Sequence, residues 1–296
     1  MSVSSLERGP HLVLWANFVE RPVTLSWTPV PRATSYDVTV GTTPGAADVF
    51  ASSTTGLSMT ITFPSPGRFY PQVVARNTWF YSAQVASRAP LFMLSFKDFV
   101  EALFLGTGPL AQNPQAGCLA GPGTMSGWPS GASVTVTLAS SLAADQRRRA
   151  AAAAGQAHQA TGGVVEARVR DSTDPRPDPG DGEIVVQQAD LSGPFPCSTA
   201  AAGCTLPLQF LSPAVLSRVR VWLRNENTAG HEIGHALYAF CHLSTEAGYV
   251  SVMGNFDQAG RGLSEADLAA TQAVYRAGLR AGATRHDFVS AGLVDP

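Results

Sequence analysis

Between residues 23 and 75 several segments carry apolar side chains at every second position, and from Phe96 to Phe104 a helical spacing replaces that alternation. Val23-Thr24-Leu25-Ser26-Trp27, Tyr36-Asp37-Val38-Thr39-Val40, Leu57 to Phe63 and Phe69 to Ala75 all alternate. Pro29, Pro31, Gly41, Pro44-Gly45 and Pro64-Ser65-Pro66-Gly67 punctuate them. A period of two puts one face of an extended segment into a core, and frequent turn residues make the segments short and antiparallel. An all-β sandwich is therefore expected over residues 1–89. Phe96, Phe99, Val100, Leu103 and Phe104 then follow the helical period. The Gly/Pro-rich stretch from Gly106 to Gly131 reads as linker, so residues 90–132 are assigned to a helix and a connector.

With 296 residues the chain is long for one ordinary domain. Hydrophobic residues make up 45% and charged residues 14%, which excludes an intrinsically disordered chain. Lys plus Arg is 20 and Asp plus Glu is 22, a net of 20 − 22 = −2. Without a basic block, neither nucleic acid nor an anionic membrane is expected as the main partner. No stretch approaches the roughly 18 apolar residues of a transmembrane segment. His11 to Val19 is apolar but lacks the flanks of a signal peptide.

A second domain is expected over residues 133–296, with mixed strands and helices. Val134 to Leu138 reads as a strand, and Ser141 as the cap of an alanine-rich helix running to Ala160. Val164 to Val169 and Glu183 to Val186 are further strands. Between them Asp171, Asp174, Asp178, Asp181 and Glu183 lie among prolines and glycines; this is a solvated turn or, alternatively, a calcium (Ca2+) loop. Cys204 to Phe210 is a strand candidate, and Ser212-Pro213 a helix start.

The chemistry concentrates in His231-Glu232-Ile233-Gly234-His235, followed by Cys241-His242. Four residues of helix turn through about 400° and rise about 6 Å, so His231 and His235 project from one face. Two imidazoles so placed can bind one metal ion, and Glu232 can reach a water beside it without binding the metal. Ile233, Ala236, Leu237 and Phe240 give this helix a face to bury. The cysteines Cys118, Cys197, Cys204 and Cys241 allow two bridges, of which Cys197 to Cys204 closes a short loop; four reduced thiols are the alternative. Bridges point to an extracellular, secreted protein.

Two resemblances sharpen this reading. Leu25-Ser26-Trp27-Thr28-Pro29, Ala33 to Val38, Gly67-Arg68-Phe69-Tyr70 and Val74-Ala75-Arg76-Asn77 resemble a fibronectin type III module. Such a module implies a spacer or a surface that docks another protein or a glycan. The histidine run, with Ser251-Val252-Met253-Gly254 and Leu263 to Tyr275, resembles the metzincin clan of zinc peptidases, matrixins in particular. That resemblance implies a multidomain chain ending in an α+β peptidase domain, with Zn2+ as cofactor, Met253 in a turn beneath the metal and a protein or peptide as substrate. Glu232 would be the general base of a zinc endopeptidase.

The clan's third ligand follows the second histidine by six residues, which is Cys241 here, and its turn glycine would stand at Tyr238. Tyrosine tolerates a positive φ poorly, so the turn must be built differently, with one extra residue and His242 as ligand. Cys241, or Glu246 or Glu265 in the manner of gluzincins, are the alternatives. If Cys241 is not a ligand, its best use is a disulfide to Cys118, whose other reading is a latency thiol. Asn255 stands where many metzincins have a tyrosine, and Tyr249 lies nearby. A non-catalytic adhesion protein with a structural metal site is the reading from another class.

Overall fold

The computed structural model describes residues 16–77, 85–86, 90–112, 118–189, 201–248, 250–254 and 262–296. The chain divides into two compact units, Met1–Phe96 and Lys97–Pro296.

The first unit is built of strands: β1 (Ala16–Phe18), β2 (Val23–Ser26), β3 (Ser35–Gly41), β4 (Phe50–Thr54), β5 (Ser58–Ile61), β6 (Gly67–Arg76), β7 (Val85–Ala86) and β8 (Leu91–Leu94). One sheet runs β1-β8-β6-β3-β4, with β7 also on β6, and β2 pairs with β5 in a second. Tyr36, Val38 and Val40 of β3 are buried while Ser35, Asp37 and Thr39, which alternate with them, are only half-buried, as the period of two requires. Val23 and Ile61 from the small sheet join Val38, Val40, Phe69 and Met93 from the large one in a single apolar core. Trp27 packs on Tyr36 with ring centroids 5.7 Å apart. Ending this unit at Ala89 proves too early, because β8 pairs with β6 and buries Leu91 and Met93 in that core. Strand β4 escaped the sequence reading because it is a sheet edge of mostly exposed Ser and Thr, with no apolar period.

The second unit combines helices with a five-stranded sheet. Its elements are α1 (Phe96–Leu105), β9 (Ala132–Leu138), α2 (Ala144–Ala154), α3 (Ala157–Thr161), β10 (Val165–Asp171), β11 (Glu183–Gln188), β12 (Gly203–Ser212), β13 (Val215–Leu223), α4 (Ala229–Tyr238), α5 (Thr245–Gly248), α6 (Glu265–Arg276) and α7 (Arg285–Ser290). The strand order is β10-β9-β11-β13-β12; the first four are mutually parallel and β12 runs antiparallel at the edge. Helices α2 and α3, between β9 and β10, form the crossover that the parallel pairing of those two strands needs.

Several expectations need correction here. The alanine-rich helix is two helices broken at Gly155. Its cap is Ala143, whose N–H donates to the Gln146 side chain at 2.9 Å, and not Ser141, whose hydroxyl serves Pro175 and Gln188. Ser212-Pro213 starts no helix; Pro213 and Ala214 form the turn of the β12–β13 hairpin. The stretch after Gly106 is no simple linker, since Met125 and Trp128 are buried and the Trp128 indole donates to Ala236 O on α4 at 2.9 Å. On α6 the buried side is Ala266, Asp267, Ala270, Thr271, Val274 and Tyr275.

Candidate metal centre

Helix α4 buries almost every residue it has, from His231 to Tyr238. Ile233, Ala236 and Leu237 supply the apolar packing, and Tyr238 donates its hydroxyl to Ala153 O of α2 at 2.6 Å. A β-carbon on Gly234 would lie 2.6 Å from Met253 Sδ, so only glycine lets the methionine turn lie this close against the helix.

The helix ends one residue later than the clan's spacing implies. Ala239 takes the left-handed conformation (φ 58°, ψ 34°). Ala239 N donates to His235 O and Phe240 N to Gly234 O, both at 3.1 Å. This closure turns the chain back on itself and brings His242 beside the two helical histidines. The three Nε2 atoms stand 3.2 Å (His231–His235), 3.2 Å (His231–His242) and 3.0 Å (His235–His242) apart. Tetrahedral ligands at 2.0–2.1 Å from a common ion would be about 3.3 Å apart, so the spacing fits one small cation.

Tautomers agree with the distances. His231 Nδ1 lies 3.1 Å from Val252 O and His235 Nδ1 lies 2.6 Å from Phe240 O. A carbonyl only accepts, so both Nδ1 atoms carry the proton and both Nε2 atoms present lone pairs. Lone pairs converging at this range repel unless a cation lies between them. Burial pushes the His231 pKa down to about 3, with the His242 charge adding to it and the Val252 bond opposing. Burial likewise holds His235 well below its ordinary value, helped by His231 and His242, and lowers His242. All three are thus kept in the neutral, ligating form.

Glu232 is 4% exposed. Burial pushes its pKa up to about 7 against the opposing hydrogen bond from Thr205. A dication nearby would favour the ionised form and reverse much of that rise.

A buried network fixes the turn beneath α4. Asp267 accepts from Ser251 Oγ at 2.5 Å, Val252 N at 3.0 Å, Ser264 N at 3.1 Å and Ser264 Oγ at 2.8 Å. Ser264 in turn caps α6, its hydroxyl accepting from Asp267 N at 3.0 Å. The same carboxylate also holds the residue whose carbonyl orients His231.

Among the described residues, His231, His235 and His242 are the group of three or more His, Cys, Asp or Glu side chains placed to hold a metal. Cys241 is not a ligand and Cys118 is not a latency thiol, for they form a disulfide with each other. Cys204 is also disulfide-bonded, while Cys197 lies outside the described residues. Glu265 is exposed at the start of α6, away from the histidine group. Asn255, Tyr249 and the Glu246 side chain lie outside the described residues. The calcium reading finds no support: among the described residues these carboxylates form no metal-holding group, and Asp171, Glu183, Asp178 and Asp181 pair with Arg147, Arg170, Arg220 and Arg218 respectively.

Sequence reasoning missed Thr205, Gly203, the two orienting carbonyls and the second role of Asp267. A carbonyl has no side-chain signature, and Thr205 lies in a strand whose place in the sheet only the tertiary structure gives. No protein-family model matches the chain, and neither does any curated protein.

Proposed function

We propose that this chain is a zinc-dependent endopeptidase of metzincin type, carrying a fibronectin type III-like module before its catalytic unit. The observation that carries the reading is the convergence of three imidazole Nε2 atoms within 3.0–3.2 Å, with Glu232 next in sequence to the first of them. His231, His235 and His242 would hold the ion. Three protein ligands leave one tetrahedral position open, which is the pattern of catalytic zinc and not of closed structural sites. A zinc ion there supplies Lewis acidity, making water nucleophilic near neutral pH and polarising a carbonyl.

Glu232 accepts the proton of the attacking water at its carboxylate and returns it to the leaving amine. The buried setting keeps bulk water from competing for that proton. An extended peptide would pair its backbone with β12, the edge strand beside β13 among the described residues. The disulfide supports an extracellular setting, and no helix among the described residues is long and apolar enough to cross a membrane. The first unit, by this reading, docks a protein or a glycan and leaves the chemistry to the second.

Glu232→Gln tests the assignment. The variant should bind one zinc ion as the wild type does and lose casein or gelatin hydrolysis by ~10²-fold or more, the scale of general-base catalysis. Retained hydrolysis would refute the assignment.

A further inference from the structure

Glu232 is held by the sheet. Its carboxylate belongs to α4, yet its neighbours come from β12 on both sides. Thr205 Oγ1 lies 2.7 Å from Glu232 Oε2 and 3.0 Å from Glu232 O, donating to both in a shared bond. Two residues earlier on the same strand, a β-carbon on Gly203 would lie 2.6 Å from Glu232 Oε1, 2.8 Å from its Cγ and 2.9 Å from its Cδ. The glycine leaves the hollow that the carboxylate fills, and the threonine grips the opposite oxygen.

We propose that Thr205 is a positioning residue for Glu232, with Gly203 as its clearance, so that β12 sets where the base points. This rests on the peptidase reading for its chemistry and on the two β12 contacts for its geometry.

The physical argument is one of rotamer freedom. A free glutamate side chain explores several rotamers, and fixing one costs up to about 2 kcal/mol. Thr205 is β-branched and set in a strand, so its χ1 is restricted and its hydroxyl direction follows from the backbone. It holds one oxygen of the carboxylate at a defined place, while the missing side chain at Gly203 leaves the room that the other oxygen occupies. A base misplaced by about 1 Å can lose ~10²-fold in rate with binding intact, because the proton transfer needs aligned atoms. Among the described residues β12 is also an edge strand of the sheet, the place for an extended backbone to add. Any displacement of that edge on docking is therefore transmitted to the carboxylate through the Thr205 hydrogen bond and the close approach of Gly203.

Thr205→Val removes the hydroxyl at nearly constant shape, and Thr205→Ser keeps it. Both are made in the full chain loaded with zinc, and kcat and KM on an extended peptide are measured together with zinc affinity by chelator competition. The expected result for Thr205→Val is a kcat lower by ~10- to 100-fold, with KM and zinc affinity within about twofold of wild type. Thr205→Ser should recover most of kcat. A crystal structure of zinc-loaded Thr205→Val should show the Glu232 carboxylate displaced or in two conformers. Unchanged kcat in Thr205→Val, a Ser variant as slow as the Val variant, or a loss that tracks zinc release would overturn the inference. Should the wild type hydrolyse no peptide, the peptidase reading falls by itself. The carboxylate position in the Val variant still decides this proposal, and an unmoved Glu232 refutes it.

Discussion

Replacing His242 by Ala isolates the residue that only the chain reversal after α4 brings to the site. In the wild type the three Nε2 atoms lie 3.0–3.2 Å apart, so one ion touches all three. With free zinc held at 100 times the dissociation constant, binding stabilises the folded state by about 2.7 kcal/mol. A unit of this size shifts its midpoint by about 2–4 °C per kcal/mol, giving a zinc-dependent rise of roughly 5–11 °C. Four-ligand zinc sites are worth about 10–16 kcal/mol, or roughly 2.5–4 kcal/mol per donor, which corresponds to a 10²- to 10³-fold weaker site after losing one. At the same free zinc the variant then gains less than about 0.5 kcal/mol, and the thermal shift shrinks to about 2 °C or less. The zinc-free midpoint should stay near wild type, since His242 is half-buried and its Nε2 meets other lone pairs there. The assay is thermal unfolding of the full chain in buffered zinc and in chelator. A variant that keeps the wild-type zinc shift would refute the three-histidine site, and so would a wild type showing none.

Other consequences follow from the same geometry. Removing the Cys118–Cys241 disulfide as a double Ala variant should cost about 2–5 kcal/mol by calorimetry, because the bridge spans 123 residues. It should also weaken zinc binding, since Cys241 precedes His242; unchanged zinc affinity would show that backbone bonds alone fix that segment. Asp267→Ala leaves the buried Val252 and Ser264 N–H groups without their acceptor, an expected loss of about 2–5 kcal/mol. Zinc affinity should fall by roughly 10-fold with it, because Val252 O orients His231; equal affinity would separate the turn from the site. The zinc-free protein should lose stability as pH falls below about 6.5 toward about 3. In that window an unfolded imidazole is protonated while His231, with its pKa near 3, is not, so the unfolded state binds more protons. His235 and His242 are lowered too and act the same way. Glu232, raised to about 7, and the raised Asp267 oppose them, while the lowered carboxyls of Asp48, Asp145, Asp181, Glu183 and Asp287 act with the histidines at the acid end. Denaturant midpoints in chelator at several pH values measure the balance, and a midpoint that rises on acidification would contradict it.

Local pattern was enough for much of this molecule. The alternation over Val23, Leu25 and Trp27, and again over Tyr36, Val38 and Val40, specified strands because one face of each had to be buried. The spacing of His231 and His235 put both on one side of α4 before any contact was known, and the side chain at position 238 already implied that the turn had to move. Strand β13 was lost to a Ser-Pro signal that the hairpin uses as a turn, and β4 to a lack of apolar residues.

Sequence alone therefore settled what a few neighbouring residues can settle: the strand period and the pair of imidazoles one turn apart on one helix face. Tertiary structure decided which donor completes the trio, since Ala239 had to adopt a left-handed turn before His242 could reach it. It also decided that β12 lies at the edge beside Glu232, and that Asp267 holds the turn whose carbonyl orients His231. Those facts join residues tens of positions apart, where the energy lies in packing and in satisfying buried polar groups, and neither leaves a period in the chain.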